Sequence, residues 1–168
     1  LGRNAGNLTA NFSKQNTGIG AFALRSLSTR GDYNTAIGLE SAQAIADGVA
    51  NTAIGSRALF SNVSGGFNTA VGFGALLNAR SSDNIALGTS AGSGITTGGN
   101  NIMIGNEGVA AEADTIRLGD PTTHTRTFLS GTVNTNGNIS LIGSTSTSGS
   151  ILKDGERFMH SYGGLTNT

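Results

Sequence analysis

The sequence predicts an all-β fold, a parallel β-solenoid, from three observations. A pentapeptide that begins with Asn and ends with Gly returns along the first 120 residues, its closing glycines recur every 14 to 18 residues, and large and small residues alternate before each glycine. A period this short is too small for a helix pair or a propeller blade, and it leaves room for about two short strands and two turns per coil. The closing glycines, including two less regular copies at the ends, are Gly2, Gly20, Gly38, Gly55, Gly72, Gly88, Gly105 and Gly119.

The residue before each closing glycine is a large aliphatic. Because side chains along a strand alternate between the two faces, equivalent residues of successive coils form one column on one face. This column is predicted to be the structural core of the repeat. Its members are Ile19, Ile37, Ile54, Val71, Leu87, Ile104 and Leu118. Two positions earlier, on the same face, the residue is Thr or Ile, and such β-branched residues favour strands.

Between these two columns, on the opposite face, the residue is usually Gly or Ala, as in Ala36 and Ala53. The small side chains are predicted to let another chain approach closely. Two buried aliphatics per coil offset only a small part of the entropy lost on ordering a coil. Stacking of coils and association of chains must supply the rest, so an oligomer is expected.

Two further columns complete each coil. A second small residue three positions after the glycine, often followed by Leu as at Leu59, is read as the return strand. The Asn that opens each pentapeptide is expected to form a hydrogen-bonded ladder along the solenoid, a structural role that is much commoner than catalysis by asparagine.

The NTAIG pentapeptide followed by Ala three residues on resembles the head repeat of the trimeric autotransporter adhesins, the YadA-like head. The resemblance covers roughly residues 1–120. It implies a left-handed parallel β-roll, three chains packed side by side, and a place in a bacterial surface fibre or in the tail fibre of a phage or related injection machine. The coils are longer than the typical family repeat, so their loops are expected to be enlarged.

After Gly119 the pattern changes, and the only proline, Pro121, marks the predicted domain boundary. Residues 121–150, rich in Thr, Ser, Asn and Gly, are predicted to form a small antiparallel β neck or prism. Residues 151–168 are predicted to form a hairpin with Asp154-Gly155 at its turn, leading into a further coil. Because Leu165–Thr168 and Leu1-Gly2 read as two parts of one pentapeptide, we expect end-to-end continuity in a longer fibre, either within one polypeptide or between trimers.

Composition argues against several classes of function. The ten basic residues balance the ten acidic ones, so the clustered positive charge that nucleic acid requires is not expected. No stretch of about 18 apolar residues occurs, so no membrane-spanning helix is predicted. There is no cysteine, so no disulfide is expected.

No catalytic residue, cofactor or metal site is predicted. The Gly-rich runs at Gly18 and Gly72 resemble dinucleotide loops but lie inside the repeat, and His124 and His160 lack partners at metal-ligand spacing. A glycosidase-type pair could be drawn from four acids, although solvation of loops is their commoner role. These acids are Glu107, Glu112, Asp114 and Asp120.

The predicted function is a non-enzymatic shaft or head segment of an extracellular trimeric fibre or adhesin. The alternative is a receptor- or glycan-binding tail-fibre module, and a polysaccharide-degrading tail spike is a third. The expected partners are the chain itself, as a homotrimer or end-to-end fibre, and a host surface protein or glycan. The loop residues that could touch such a partner are Arg30, Asp32, Tyr33, Phe60 and Phe67, the first two belonging to an Arg-Gly-Asp tripeptide.

Overall fold

The computed structural model describes residues 15–28, 30–124, 126, 127, 129, 130, 133 and 135, together with the backbone of 151–153 and 156–159. The chain divides into two compact units, Leu1–Thr127 and Phe128–Thr168. Among the described residues every regular element is a β-strand, and none is helical.

The first unit is a parallel β-solenoid, as the repeat predicts. Its seven strands follow one another in chain order within a single sheet, and each is three residues long. All six pairings are parallel and place equivalent residues opposite one another, for example Ala36 against Ala53. The strands are β1 (Thr17–Ile19), β2 (Thr35–Ile37), β3 (Thr52–Ile54), β4 (Thr69–Val71), β5 (Ile85–Leu87), β6 (Ile102–Ile104) and β7 (Ile116–Leu118).

The facing of the strands is the reverse of the prediction. The middle residues of β2 to β6, Ala36, Ala53, Ala70, Ala86 and Met103, are fully buried inside the chain. The aliphatic column that was predicted to be the core points outward instead. Its least exposed members are Val71, which is half-buried, and Ile37, Ile54 and Ile104, which are 36–38% exposed. The physical reason is the narrow interior of a single coil. In β2 to β5 only a small side chain fits between the strand and the opposite wall of its own coil, because protein interiors are close-packed. The larger Met103 is accommodated at β6, where the wall carries Gly108, whose Cβ position lies 3.5 Å from the Met103 sulfur.

The opposite wall is made of turns, so the predicted return strand is absent from the described coils. In the five repeats that close at Gly20, Gly38, Gly55, Gly72 and Gly88, the second and fourth residues after the closing glycine have positive φ, as at Glu40 (φ 57) and Ala42 (φ 50). This left-handed conformation interrupts an extended strand. The wall supplies the large buried side chains of the core, which include Leu24, Ile45, Leu59, Leu76 and Ile95.

The predicted asparagine ladder is confirmed. Asn68 shows the pattern: its Nδ2 donates to Asn51 Oδ1 at 3.0 Å and to the Ser81 carbonyl at 2.9 Å, and its Oδ1 accepts from the Asn84 backbone N–H at 3.0 Å. Each amide therefore links neighbouring coils and satisfies backbone groups that would otherwise be buried without partners. The ladder continues down to Asn101, whose Oδ1 accepts from the Thr115 N–H.

Asn62 is a buried asparagine of a different kind. It lies in the wall, in the column that carries Leu27, Ile45 and Ile95 in other coils, and it is 0% exposed. Neither its side-chain oxygen nor its nitrogen has a hydrogen-bond partner. A buried polar group without a partner destabilises the fold, because the free energy lost on desolvation is not offset by a hydrogen bond.

We therefore expect Asn62→Leu to stabilise the protein, by about 1–3 kcal/mol, since it restores the column's usual residue next to the small Ala79. Chemical denaturation followed by circular dichroism measures the change. Asn68→Leu is the matched control, because it removes a hydrogen-bonded ladder amide and should be destabilising. Equal losses for both variants would show that Asn62 has a partner and would contradict the prediction.

The second unit contains an antiparallel strand pair within residues 151–168, the segment predicted to begin with a hairpin. Strands β8 (Ile151–Lys153) and β9 (Glu156–Met159) pair antiparallel, with Lys153 opposite Glu156. The predicted turn residues Asp154-Gly155 lie outside the described residues, as do most of the predicted neck, His160, and the two chain ends with the expected continuity between them.

Candidate interaction surface

The outward residues of β1 to β7 form one surface, which we call the apolar sheet face. Its main column is the exposed aliphatic column, with exposed fractions of 48% at Ile19, 38% at Ile54 and 50% at Leu87. The parallel register sets these side chains directly above one another, about 4.8 Å apart from coil to coil. The face therefore presents a continuous line of aliphatic side chains along the solenoid.

The second column of this face changes character along the solenoid. It is Thr in β1 to β4 and Ile in β5 to β7, where Ile85 is 44% and Ile116 is 73% exposed. All fourteen outward positions of the seven strands carry Thr, Ile, Val or Leu and none carries a charge. Large exposed apolar patches of this kind mark surfaces that another molecule covers.

The two ends of each strand carry a further pair of positions. We call the residue two places before each strand the leading corner and the residue two places after it the trailing corner. Around β2 these residues are Tyr33 and Leu39, and around β4 they are Phe67 and Phe73. All four are at least half exposed, with fractions of 60%, 50%, 62% and 58% respectively. The apolar sheet face is thus flanked on both sides by large apolar side chains at these two coils.

The predicted loop contacts are not brought together. Tyr33 and Phe67 share the leading corner, two coils apart, whereas Phe60 lies in the turn wall, partly buried, with the Arg57 guanidinium 5.4 Å from its ring centroid. The corner role of Tyr33 and Phe67 was missed at the sequence level, although their equal spacing from the pentapeptide is visible there.

The Arg-Gly-Asp tripeptide is built into the stack of coils. Arg30 is exposed, but Gly31 is buried, and a Cβ at Gly31 would meet the Ala46 carbonyl oxygen at 2.6 Å. The Gly31 carbonyl accepts from Asn16 Nδ2 at 2.7 Å, and the Asp32 carbonyl accepts from the Ala50 N–H at 2.9 Å. The tripeptide therefore does not protrude as a recognition loop.

The last coil ends in a charged pair instead of an aliphatic core. Arg117 occupies the inward position that is Ala in β2 to β5 and Met103 in β6. Its Nε and Nη2 donate to both carboxylate oxygens of Glu112 at 2.7 to 2.9 Å. These hydrogen bonds from Arg117 hold the pKa of the Glu112 carboxyl below its ordinary value, although partial burial opposes the shift. Among the described strands β7 is the last of the sheet, so the pair lies at this end of the core.

Since the pKa of Glu112 is lower in the folded chain than in the unfolded one, the ion pair stabilises the fold above the unfolded value of 4.5, and this contribution disappears as the pH falls through the folded pKa. We expect Glu112→Gln to lose less than about 1 kcal/mol at neutral pH and to unfold with a weaker dependence on acid than the wild type. Thermal unfolding between neutral pH and acid measures this. Glu107→Gln, at an exposed acid of the same coil, is the control. If the stability of Glu112→Gln fell with decreasing pH as steeply as that of the wild type, the assignment would be contradicted.

A shallow cavity of about 380 Å³ lies beside this end, lined by residues that include Asn106, Arg117, Asp120 and His124. Its charged groups already have partners. Asp120 accepts hydrogen bonds from the N–H and hydroxyl of Thr122, which lower the pKa of its carboxyl, and the Asp120 N–H donates to His124 Nδ1 at 2.9 Å. These contacts close the end of the solenoid.

The four acids considered for a glycosidase pair are distributed over this end. Glu112 is bound to Arg117, Asp114 accepts from Asn100 Nδ2 at 2.7 Å, Asp120 closes its turn, and Glu107 is exposed. Within the described residues, no three His, Cys, Asp or Glu side chains are grouped as metal ligands. The same residues include no helix that is long and apolar enough to cross a membrane.

A scan against protein-family models and searches of curated proteins and of solved structures found no match to this chain.

Proposed function

We propose that this chain is a non-enzymatic structural segment, a shaft or head, of an extracellular trimeric fibre or adhesin, and that three copies assemble through the apolar sheet face. The observation that carries the proposal is the uncharged aliphatic column that runs the full length of the parallel sheet. The resemblance of the pentapeptide to the head repeat of trimeric autotransporter adhesins supports three-fold assembly, left-handed winding and a neck after the solenoid.

The burial of the alanine column moves the proposed assembly to the opposite face of the sheet. The alanine column was expected to receive a second chain, but Ala36 and its equivalents are buried in the core of their own chain. The outward aliphatic column is the apolar surface that remains exposed in the single chain. Burying it stabilises the assembly by about 25 cal/mol for each Å² of apolar area removed from water. Three flat faces around a common axis form a closed prism and leave no apolar face exposed.

A stack of coils joined by hydrogen bonds suits the role of a shaft. Each inner coil is bonded to both neighbours, through the sheet, through the asparagine ladder and through the turn wall, where for example the Leu59 N–H donates to the Ala75 carbonyl. Such a solenoid resists bending and extends by adding repeats.

Sedimentation equilibrium of the whole chain tests the assembly. We expect three times the chain mass of 16.8 kDa for the wild type. Ile54→Asp places a charge in the middle of the apolar sheet face and should remove the trimer, because an unpaired charge is costly to bury. Thr97→Asp is the control, since Thr97 is exposed in the turn wall and its equivalent three coils earlier is an acid, Asp47.

A wild-type chain that stays monomeric, or an Ile54→Asp variant that keeps the wild-type mass, would overturn the proposed assembly.

A further inference from the structure

The residues at the two corners of the sheet match in character, coil by coil. The leading corner is large and apolar only at Tyr33 and Phe67, and the trailing corner is large and apolar only at Leu39 and Phe73, which flank the same two strands, β2 and β4. At the other strands both corners are small or polar. These pairs are Gln15 and Ala21 at β1, Ala50 and Ser56 at β3, Asp83 and Thr89 at β5, Asn100 and Asn106 at β6, and Asp114 and Asp120 at β7.

Contact within one chain does not explain this match. The corners of one coil lie at opposite ends of a strand, with the strand and its flanking residues between them. All four large corner residues are at least half exposed, so their apolar surface is not covered by their own chain.

A closed ring of copies does explain it. When flat sheets stand side by side around one axis, the leading corner of each sheet lies next to the trailing corner of its neighbour, and the same contact repeats around the ring. Residues that meet across such a contact come from opposite corners. They come from the same coil if the copies are level, that is, if equivalent coils stand at the same height along the axis.

We infer that the copies pack level with one another, so that Tyr33 and Phe67 of one chain contact Leu39 and Phe73 of the neighbouring copy. This rests on the proposed trimer and adds its register. A shift by one coil would set Phe67 against a small or polar residue of the next chain, and a shift by two coils would leave one of the two large pairs without its counterpart. At β7 the level arrangement places Asp114 of one chain opposite Asp120 of its neighbour, a like-charge pair whose cost the apolar contacts at β2 and β4 must offset.

The register matters because the sheet face alone does not specify it. The aliphatic column repeats at every coil, so it would be covered almost equally well by neighbouring chains displaced by one coil, about 4.8 Å. Equal displacements at successive contacts would give an open, staggered assembly instead of a closed ring. Large corners at only two coils make the level arrangement better packed than its shifted alternatives. The corner residues thus determine the axial register between neighbouring chains.

Cysteine cross-linking of the full chain tests the inference, and the chain offers a clean background because it has no cysteine. The two in-register double variants are Tyr33→Cys with Leu39→Cys, and Phe67→Cys with Phe73→Cys. The out-of-register control is Tyr33→Cys with Phe73→Cys, and Tyr33→Cys alone is a second control. Each variant is treated with a bis-maleimide cross-linker and then run on a denaturing gel. The cross-linker spans the gap that opens when a large side chain is replaced by cysteine, and it is shorter than the distance of about 9.5 Å between residues two coils apart.

We expect covalent trimers from both in-register variants and no such product from either control. Sedimentation of the same samples before cross-linking shows whether each variant is a trimer, independently of which corner residues are in contact. Trimers that cross-link only in the out-of-register variant, or that fail to cross-link in register, overturn the register and leave the trimer standing. Covalent dimers from Tyr33→Cys alone would show two-fold pairing of like corners and would overturn the register and the trimer together, as would a monomeric sample.

Discussion

Gly55→Ala is expected to disrupt the solenoid, with a loss on the order of 4 kcal/mol or more per chain. Gly55 has a φ of 129°, a conformation that side-chain-bearing residues rarely adopt. A Cβ at this position would also meet the carbonyl group of Gly72 in the next coil, whose carbon would lie 2.6 Å away. Because that group is backbone held in the coil stack, it cannot move aside without breaking the stacking. Thermal and denaturant unfolding followed by circular dichroism measures the loss.

Two glycines of the same chain are matched controls. Gly74→Ala should change stability by less than about 0.5 kcal/mol, because the nearest atom to its Cβ is Ser90 Oγ at 4.0 Å and the equivalent positions hold Glu40 and Arg57 at a similar positive φ. Gly88→Ala should fall between the two, since its φ of 117° is unfavourable but the nearest atoms lie 3.6 Å away. Equal losses at Gly55 and Gly74 would contradict the close approach of the coils.

Leu59→Ala is expected to cost about 2–5 kcal/mol per chain, because Leu59 is fully buried inside its own coil. The loss reflects both the apolar surface removed and the cavity left in a narrow core that has little freedom to collapse. Denaturant unfolding at several protein concentrations measures it, with sedimentation equilibrium on the same samples to follow assembly.

Ile54→Ala is the counterpart of that variant on the other side of the strand. Ile54 is 38% exposed in the single chain, so its truncation should act mainly on the association of copies and should show most strongly on dilution. Asp32→Ala, a change in the turn between coils, should leave the melting temperature nearly unchanged. If Leu59→Ala were tolerated while Ile54→Ala unfolded the chain without altering its association, the inward and outward faces would have to be exchanged.

Much of the solenoid follows from the repeat. The columns read from the sequence are the columns of the structure, because parallel strands pair equivalent residues, as Thr52 pairs with Thr69. The asparagine ladder was also predictable, since an Asn repeated once per coil stacks directly on its equivalents and can bond to them. The hairpin of β8 and β9 was recognisable from its turn dipeptide and flanking strands.

Other features of the candidate surface were not predictable from local pattern. Phe22, Glu40 and Arg57 adopt positive φ although residues of these types seldom do, so the turn wall could be mistaken for a return strand. The columns interpreted from the sequence do not mark Asn62 as buried. Its burial results from packing between neighbouring coils, which no local pattern expresses.

The sequence by itself determined the solenoid, its period, the identity of its columns and which residues share a face, because these follow from spacing and from the two-residue alternation of a strand. Only the tertiary structure decided which face is inside. Alternation separates Ile54 from Ala53 but is symmetric between core and surface, and aliphatic residues are usually buried. The narrow cross-section of the coil breaks that symmetry, since the coils of β2 to β5 have room for alanine on the strand and for leucine only on the wall. Met103 at β6 is buried where the wall carries the small Gly108. The aliphatic residues that a sequence reader assigns to the core are therefore left on the outside, as the surface proposed to meet other copies of the chain.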